Sequence, residues 1–397
     1  MEYPKDWLKG ELGDFLDSIV GGGTPSRDVK EYWNGSIPWC TVKDFSKPNR
    51  FGTEEYITDK GLKSSATNII RSGILITPTR MALGRAIIYN VDVAINQDLK
   101  ALYPKTELDT IFLYYWFERN KSFIDSLGNG STVKGITLSE LRSLSFILPP
   151  LPEQQKIAAI LSKWDELIEH QTQLIAAKEK QKTSLMQKLL SGEVRFPGFE
   201  GEWEEVTLGE IAEFRRGSFP QPYGLPEWYD DENGMPFVQV YDVDENMLLK
   251  PNTKRKISEL GAEQSVFVKK GTLVITIQGS IGRVAKTQYD AYVDRTLLIF
   301  KSYKTKINVD YFKYVLLLLF EIEKMKAPGG TIKTITKEVL TQFNVVIPKI
   351  EEQNKIASTF SSIDMELQSL KDELEAIKLQ KKGLMQQLLT GRIRVNV

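Results

Sequence analysis

The residue types that carry acid–base, nucleophilic or metal chemistry are scarce in this chain of 397 residues. It has one histidine, His170 beside Glu169, and one cysteine, Cys40. A nucleophilic serine or cysteine needs a base that a third group orients, and a zinc site needs several nitrogen or sulfur ligands. One histidine and one cysteine supply neither. Carboxylate-only sites remain formally open, but no cluster of acidic residues suggests one. No Gly-x-x-x-x-Gly-Lys-Ser/Thr loop occurs to cradle phosphates, and no Gly-x-Gly-x-x-Gly follows a strand. The Asn/Asp-Pro-Pro-aromatic signature of adenine methyltransferases is missing too, since Leu148-Pro149-Pro150-Leu151 lacks the leading amide or acid. His170 reads as a solvated or interhelical side chain. The chain reads as one that directs chemistry done elsewhere.

Composition narrows this further. Lysine plus arginine number 52 and aspartate plus glutamate 52, so formal charge is zero. That counts against gripping nucleic acid by charge alone, because phosphate neutralisation dominates non-specific affinity. It leaves open a reader of base edges whose partners supply the electrostatics. Hydrophobic content of 41% and charged content of 26% describe a soluble globular chain of two to four domains. The lone cysteine fits a reducing cytosol. The first residues, Met1 to Trp7, hold no apolar run, and the longest apolar stretch, Val315 to Phe320, is too short to span a bilayer. The expected location is cytoplasmic.

The elements that would position any site are duplicated. Trp7, Leu12-Gly13-Asp14 and Thr24-Pro25 return as Trp203, Leu208-Gly209-Glu210 and Phe219-Pro220. Gly73 to Thr77 returns as Gly271 to Ile275, Gly84-Arg85-Ala86 as Gly282-Arg283-Val284, and Thr132 to Thr137 as Thr331 to Thr336. Glu153 to Ala158 matches Glu352 to Ala357, and Leu185 to Gly192 matches Leu384 to Gly391. So long a period signals two duplicated domains rather than a solenoid. Such a pair addresses two sites at once, or one site with pseudo-two-fold symmetry.

Each copy opens with short β-rich runs, such as Ile37 to Thr41, Gly73 to Thr77 and Ala86 to Tyr89, punctuated by Gly, Pro, Asn and Asp. A helix is expected over Asp109 to Ser126 and again over Tyr311 to Lys326. Each copy then ends in a proline-bearing strand and a long helix. In the second helix Ile356, Phe360, Ile363, Leu367, Leu370, Leu374, Ile377, Leu384 and Leu388 alternate at spacings of four and three, broken only at Lys381. In the first, Ile157, Leu161, Trp164, Ile168, Ile175, Leu185 and Leu189 hold equivalent places, interrupted by Gln171, Lys178 and Lys182. These are heptad seams. Each stops at glycine, Gly192 or Gly391. About 38 residues at 1.5 Å per residue give a helix of roughly 57 Å. The expected class is α+β: two similar mixed α/β domains with two long helices packed as an antiparallel intramolecular coiled coil, in a pseudo-two-fold repeat. The boundaries read as a first domain over 1–150, a first helix over 151–192, a linker and second domain over 193–349, and a second helix and tail over 350–397.

Two α/β modules, each followed by a long helix opening with Pro-x-x-Glu-Gln-x-x-Ile-Ala, resemble the specificity (S) subunits of type I restriction–modification enzymes. The motif stands here as Pro150 to Ala158 and as Pro348 to Ala357, with Asn354 where the first copy has Gln155. Leu185 to Phe196 with Pro197-Gly198-Phe199, and Leu384 to Val395, add to the resemblance, which covers essentially the whole chain. It implies a non-catalytic DNA reader. Each target recognition domain would bind one half of a bipartite, asymmetric site, and the helices would set the gap. Two modification (M) subunits holding S-adenosylmethionine would dock on the chain and methylate adenine N6. Restriction (R) subunits, using ATP and Mg, would translocate and cleave. No cofactor or metal is expected in this chain itself.

Base readout needs Arg, Lys, Asn, Gln, Ser or Thr on exposed loops. The candidates in the first module are Thr79, Arg80, Arg85, Ser131, Thr132 and Lys134. In the second, Gln278, Ser280, Arg283, Thr331 and Lys333 occupy similar places. Arg215, Arg216 and the run Lys254-Arg255-Lys256 are candidates for phosphate contact. Plainer roles compete with each of these. The repeated Gly84-Arg85 and Gly282-Arg283 suit a shared structural turn as well as a shared contact, Lys254 to Lys256 suit a solvated charge run, and Asn96-Gln97-Asp98 suits a turn cap. Trp39, Trp116 and Tyr311 read as core. Two other functions stay in view: a coiled-coil scaffold of two protein-binding modules without DNA contact, and an enzyme acting on nucleic acid directly.

Overall fold

The computed structural model describes residues 3–129, 134–244, 247–326 and 336–396. The chain divides into two compact units, Met1–Gln173 with Asp372–Val397, and Leu174–Lys371. Both divisions fall inside the long helices, so each unit contains part of both.

The first unit carries two four-stranded sheets. In one, the order is Leu16–Gly21, Leu99–Pro104, Leu75–Pro78, Ile87–Ile88, antiparallel throughout. In the other it is Glu55–Ile57, Trp33–Cys40, Val93–Ile95, Asn68–Ile70, with the central pair parallel. A third, two-stranded sheet joins Leu8–Glu11 to Ser145–Leu148. The second unit repeats all three. Its sheets run Ala212–Arg216, Leu297–Tyr303, Leu273–Thr276, Val284–Lys286, then Arg255–Ile257, Met235–Val238, Ala291–Val293, Val266–Val268, and finally Glu204–Thr207 with Asn344–Ile347. The strands expected around Ile37, Gly73, Ala86 and Phe146 are all present, shifted by a few residues at their ends.

The helix expected near Asp109 spans Thr110–Leu127, and Asp109 caps it by accepting the Phe112 N–H at 2.8 Å. Its partner spans Val309–Lys326. Trp39, Trp116 and Tyr311 are buried, as expected of core residues. Phe112 and Trp116 meet Phe146 at ring-centroid distances of 6.5 and 5.0 Å. Each such ring contributes about 1.5–3 kcal/mol by leaving water. The repeated glycines have a geometric cause. Gly84 and Gly282 sit at φ +73° and +83°, and a Cβ there would stand 2.5 Å from the Lys121 carbonyl oxygen or 2.6 Å from the Phe320 ring.

The long helices span Leu151–Leu190 and Ile350–Leu388, 40 and 39 residues. Every residue of the expected seams is buried or half-buried. Within the first unit, Lys381 binds Asp165 at 2.5 Å and Gln171 binds Glu373 at 3.0 Å. Within the second, Lys178 meets Glu366 at 2.6 Å and Lys182 meets Asp364 at 2.5 Å. Positions rise along one helix as they fall along the other, so the pairing is antiparallel in each unit. The polar interruptions of the heptads are thus cross-helix partners. A tyrosine completes each copy: Tyr115 donates to Asp165 at 2.7 Å and Tyr314 to Asp364 at 2.6 Å.

The repeated Glu-Gln pair joins the helices to the domains. Gln154 is fully buried, donating to the Pro149 and Glu107 carbonyls and accepting the Asp109 N–H at 2.8 Å. Gln353 does the same with Pro348 and Asn308. Beside them, Glu153 receives Arg394 at 2.6 and 2.8 Å, and Glu352 receives Arg195 at 2.9 and 2.7 Å. The tail that follows each long helix therefore holds the start of the other. The copies differ in the tryptophan: Trp7 donates to Glu153 at 3.0 Å, whereas the buried Trp203 indole N–H has no partner among the described residues.

Candidate nucleic-acid interface

The same frame supports one loop cluster in each unit. In the first, buried Asp44 accepts the Thr41 and Glu54 N–H groups at 2.8 Å. Arg85 reaches the carbonyl of the next residue, Phe45, at 2.5 Å. In the second, buried Asp242 accepts the Gln239 and Lys254 N–H groups at 2.8 and 2.9 Å, and Arg283 reaches the Val243 carbonyl at 3.2 Å. Burial pushes the Asp242 pKa up, opposed by these donated N–H groups. Arg85 and Arg283 therefore stitch one turn to another, the structural role their repetition suggested.

Two tight turns rise from this frame. Asn96 caps the first by accepting the Asp98 N–H at 3.1 Å, which leaves Gln97 exposed at the tip. The matching turn of the second unit is closed by Asp294 accepting from Thr296 at 2.9 Å, with Arg295 exposed at its tip. The second turn follows the buried strand Leu75–Pro78. There Thr79 is only 6% exposed and gives both its N–H and its hydroxyl to the Asp98 carbonyl. Thr79 fastens the two turns together and has no free donor for a ligand. Its neighbour Arg80 is exposed, with Asp98 3.6 Å away. Lys134 is exposed beside it, since the Met81 N–H donates to the Lys134 carbonyl at 2.8 Å.

In the second unit Gln278 and Ser280 are exposed on the matching turn. An open depression of about 460 Å³ lies against Ser280 and Arg283, walled by Tyr241, Lys250 and Gly279. Burial and the Asp242 carboxylate push the Tyr241 phenol up to about 12, so it remains protonated at neutral pH. Arg215 and Arg216 lie exposed on the strand Ala212–Arg216, where Arg216 donates to the Arg295 carbonyl at 3.2 Å. The basic run separates into distinct roles. Arg255 pairs with Asp231 at 3.1 Å and stacks 3.7 Å over Tyr229, and Lys256 holds the Glu232 carbonyl at 2.7 Å. Lys254 is exposed, 4.7 Å from the Tyr241 ring. Ser131, Thr132, Thr331 and Lys333 lie outside the described residues.

The structure thus brings Arg80 and Lys134 together in one unit, and Arg215, Arg216 and Arg295 together in the other. Gln97 is the exposed tip of the turn that the sequence suggested as a cap, and Arg295 is the exposed tip that sequence reasoning passed over. The signal was available: Asn96-Gln97-Asp98 aligns with Asp294-Arg295-Thr296, a turn present in both copies whose central residue changes from an amide to a cation.

The Type I restriction modification DNA specificity domain model matches residues 4–179 and again 200–379. The MjaIX type I specificity subunit of Methanocaldococcus jannaschii is 25% identical over 427 residues, 99% of this chain and 95% of that one. The EcoR124I/EcoR124II specificity subunit of Escherichia coli is 32% identical over 165 residues, 40% of each chain. Among solved structures, the type I S subunit from M. genitalium superposes with a TM-score of 0.60 at 19% identity, covering 98% of both chains. A chain from a study of type I complex assembly gives 0.64 at 18% identity, covering 99% of this chain and all of that one.

Proposed function

Because the chain belongs to the family of type I restriction–modification DNA specificity proteins, we propose that its two units read the two different halves of a bipartite, asymmetric DNA site. The observation that carries this is a shared frame with unlike tips. Asp44 with Arg85, and Asp242 with Arg283, hold matching turns, while the exposed residues they present are Arg80 and Gln97 in one unit and Gln278 and Arg295 in the other. Arginine pairs bidentately with guanine, and glutamine with adenine, in the major groove. Equal frames with unequal side chains suit two half-sites of different sequence.

Arg215, Arg216 and Lys254 supply sequence-independent phosphate contact, which fixes orientation without reading bases. The long helices set the gap and carry M subunits, which bind S-adenosylmethionine and methylate adenine N6. R subunits add ATP- and Mg-dependent cleavage. This chain contributes position and selectivity to that chemistry. Coupling two modest readers through a stiff linker raises affinity and rejects duplexes with the wrong gap.

The test is adenine-methylation mapping in cells holding the cognate M subunit with and without this chain. A single two-part motif that vanishes without the chain supports the reading. Unchanged methylation in the presence of a stable complex and an active M subunit favours a scaffold role instead.

A further inference from the structure

Met81 is held at φ +65° in the turn after the strand Leu75–Pro78. In this left-handed conformation a Cβ crowds the neighbouring carbonyl, so methionine is disfavoured where glycine is not. The matching residue of the second unit is glycine, Gly279 at φ +69°. The two copies keep one backbone shape, and only the first keeps it with a large side chain. Strain of this kind persists where the surroundings impose it, and it clusters at functional sites.

The Met81 side chain is 49% exposed, so only part of it packs on the protein. Its backbone, by contrast, is fixed. The N–H donates to Lys134 at 2.8 Å, and the carbonyl accepts the Leu83 N–H at 2.6 Å. Its chain neighbour Arg80 and its backbone partner Lys134 carry exposed cations, 60% and 56% exposed, each 3.6 Å from a carboxylate, Asp98 and Asp125. A half-exposed apolar group whose backbone neighbours carry exposed cations matches a surface that offers phosphates at its margins and bases at its centre.

We propose that Met81 is a specificity-determining residue of the first unit, making an apolar contact with the bases of its half-site that the second unit, with Gly279, does not make. The proposal rests on the DNA-reading function above. Bases offer such a side chain two partners: the thymine methyl group in the major groove, or the faces of a partly unstacked step in the minor groove. An unbranched, polarisable thioether adapts to either.

The test uses the complex of this chain with its cognate M subunit, as wild type, Met81→Gly and Met81→Leu. Adenine-methylation rates are measured on duplexes varied one position at a time across both half-sites. Met81→Gly adopts the residue of the second unit and relieves the strain, so it melts at or above the wild-type temperature; a folding defect is thereby separated from a reading defect. The expected result is a fall in discrimination of about 5- to 100-fold at one or two adjacent positions of one half-site. The other half-site is unaffected, and Met81→Leu keeps most of the discrimination. Deoxyuridine in place of thymine at the affected position weakens the wild type if the methyl group is the partner and leaves it unchanged if a base step is; both support an apolar base contact. Full wild-type discrimination at every position in Met81→Gly overturns the proposal while leaving the reading function intact. A wild-type complex that methylates without site preference overturns both.

Discussion

Arg394 and Glu153 stand 241 positions apart, and the arginine grips both oxygens of a carboxylate whose side chain is only 2% exposed. Arg195 and Glu352 repeat the arrangement in the second unit. The residue after one long helix thus neutralises the residue that opens the other. Arg394→Met leaves Glu153 buried without its cation. The loss is expected to be about 2 kcal/mol, below the roughly 3–5 kcal/mol of a broken fully buried pair because the arginine itself is partly exposed. Thermal unfolding of the purified chain checks this, and an unchanged melting temperature contradicts it.

Arg85 and Gln278 separate frame from tip. Arg85→Ala frees the Phe45 carbonyl and loosens the turns, so methylation is expected to weaken across all target sequences, with a lowered melting temperature. Gln278 is exposed and has no hydrogen-bond partner among the described residues. Gln278→Ala is expected to leave stability within about 0.5 kcal/mol and to relax one position of one half-site by about 1–3 kcal/mol. Melting curves and rates on single-position duplex variants distinguish the two.

Lys313 is only 8% exposed and lines a cavity of about 650 Å³ with Tyr314, Met186, Leu317 and Leu367. Its ammonium sits 4.6 Å from the Tyr314 ring centroid, and burial lowers its pKa below the usual 10.5. Burying the charged form is unfavourable, which is what lowers the pKa. As pH rises past the lowered folded value, the unfolded chain holds the extra proton and stability increases. Lys313→Met is therefore expected to stabilise the chain by about 1 kcal/mol at pH 7, with the advantage shrinking as pH approaches 10.5. Urea unfolding across that range measures it, and a less stable variant at pH 7 contradicts the prediction.

Cys40 is fully buried, 3.1 Å from the Tyr89 hydroxyl, and burial drives its thiol far above the usual range. A thiol reagent is expected to leave the native chain unmodified over hours and to label one group promptly in urea. Rapid labelling of the native chain contradicts this burial.

The heptad seams were legible because Ile157, Leu161, Phe360 and Leu367 keep a helical period whatever lies opposite. Lys182 and Lys381 read as breaks in that pattern because periodicity along one helix does not name the residue facing it on the other. Their acceptors, Asp364 and Asp165, become visible only once the pairing is known. The Glu-Gln motif was legible as a family mark, while its physical work, Gln154 closing three backbone groups and Glu153 holding a distant arginine, was not. Thr79 and Arg80 show where site reading fails. All four residues of the strand Leu75–Pro78 are buried, so no in–out alternation tells which side chain of the following turn meets solvent.

If one frame carries exchangeable tips, moving the tips alone should move the specificity. Gln278→Arg with Arg295→Gln gives the second unit the exposed residues of the first, Arg80 and Gln97. Adenine methylation is then mapped in cells expressing this variant with its cognate M subunit. The expected motif is altered in one half only, with the other half and the gap unchanged. An unaltered motif, or one changed in both halves, contradicts it.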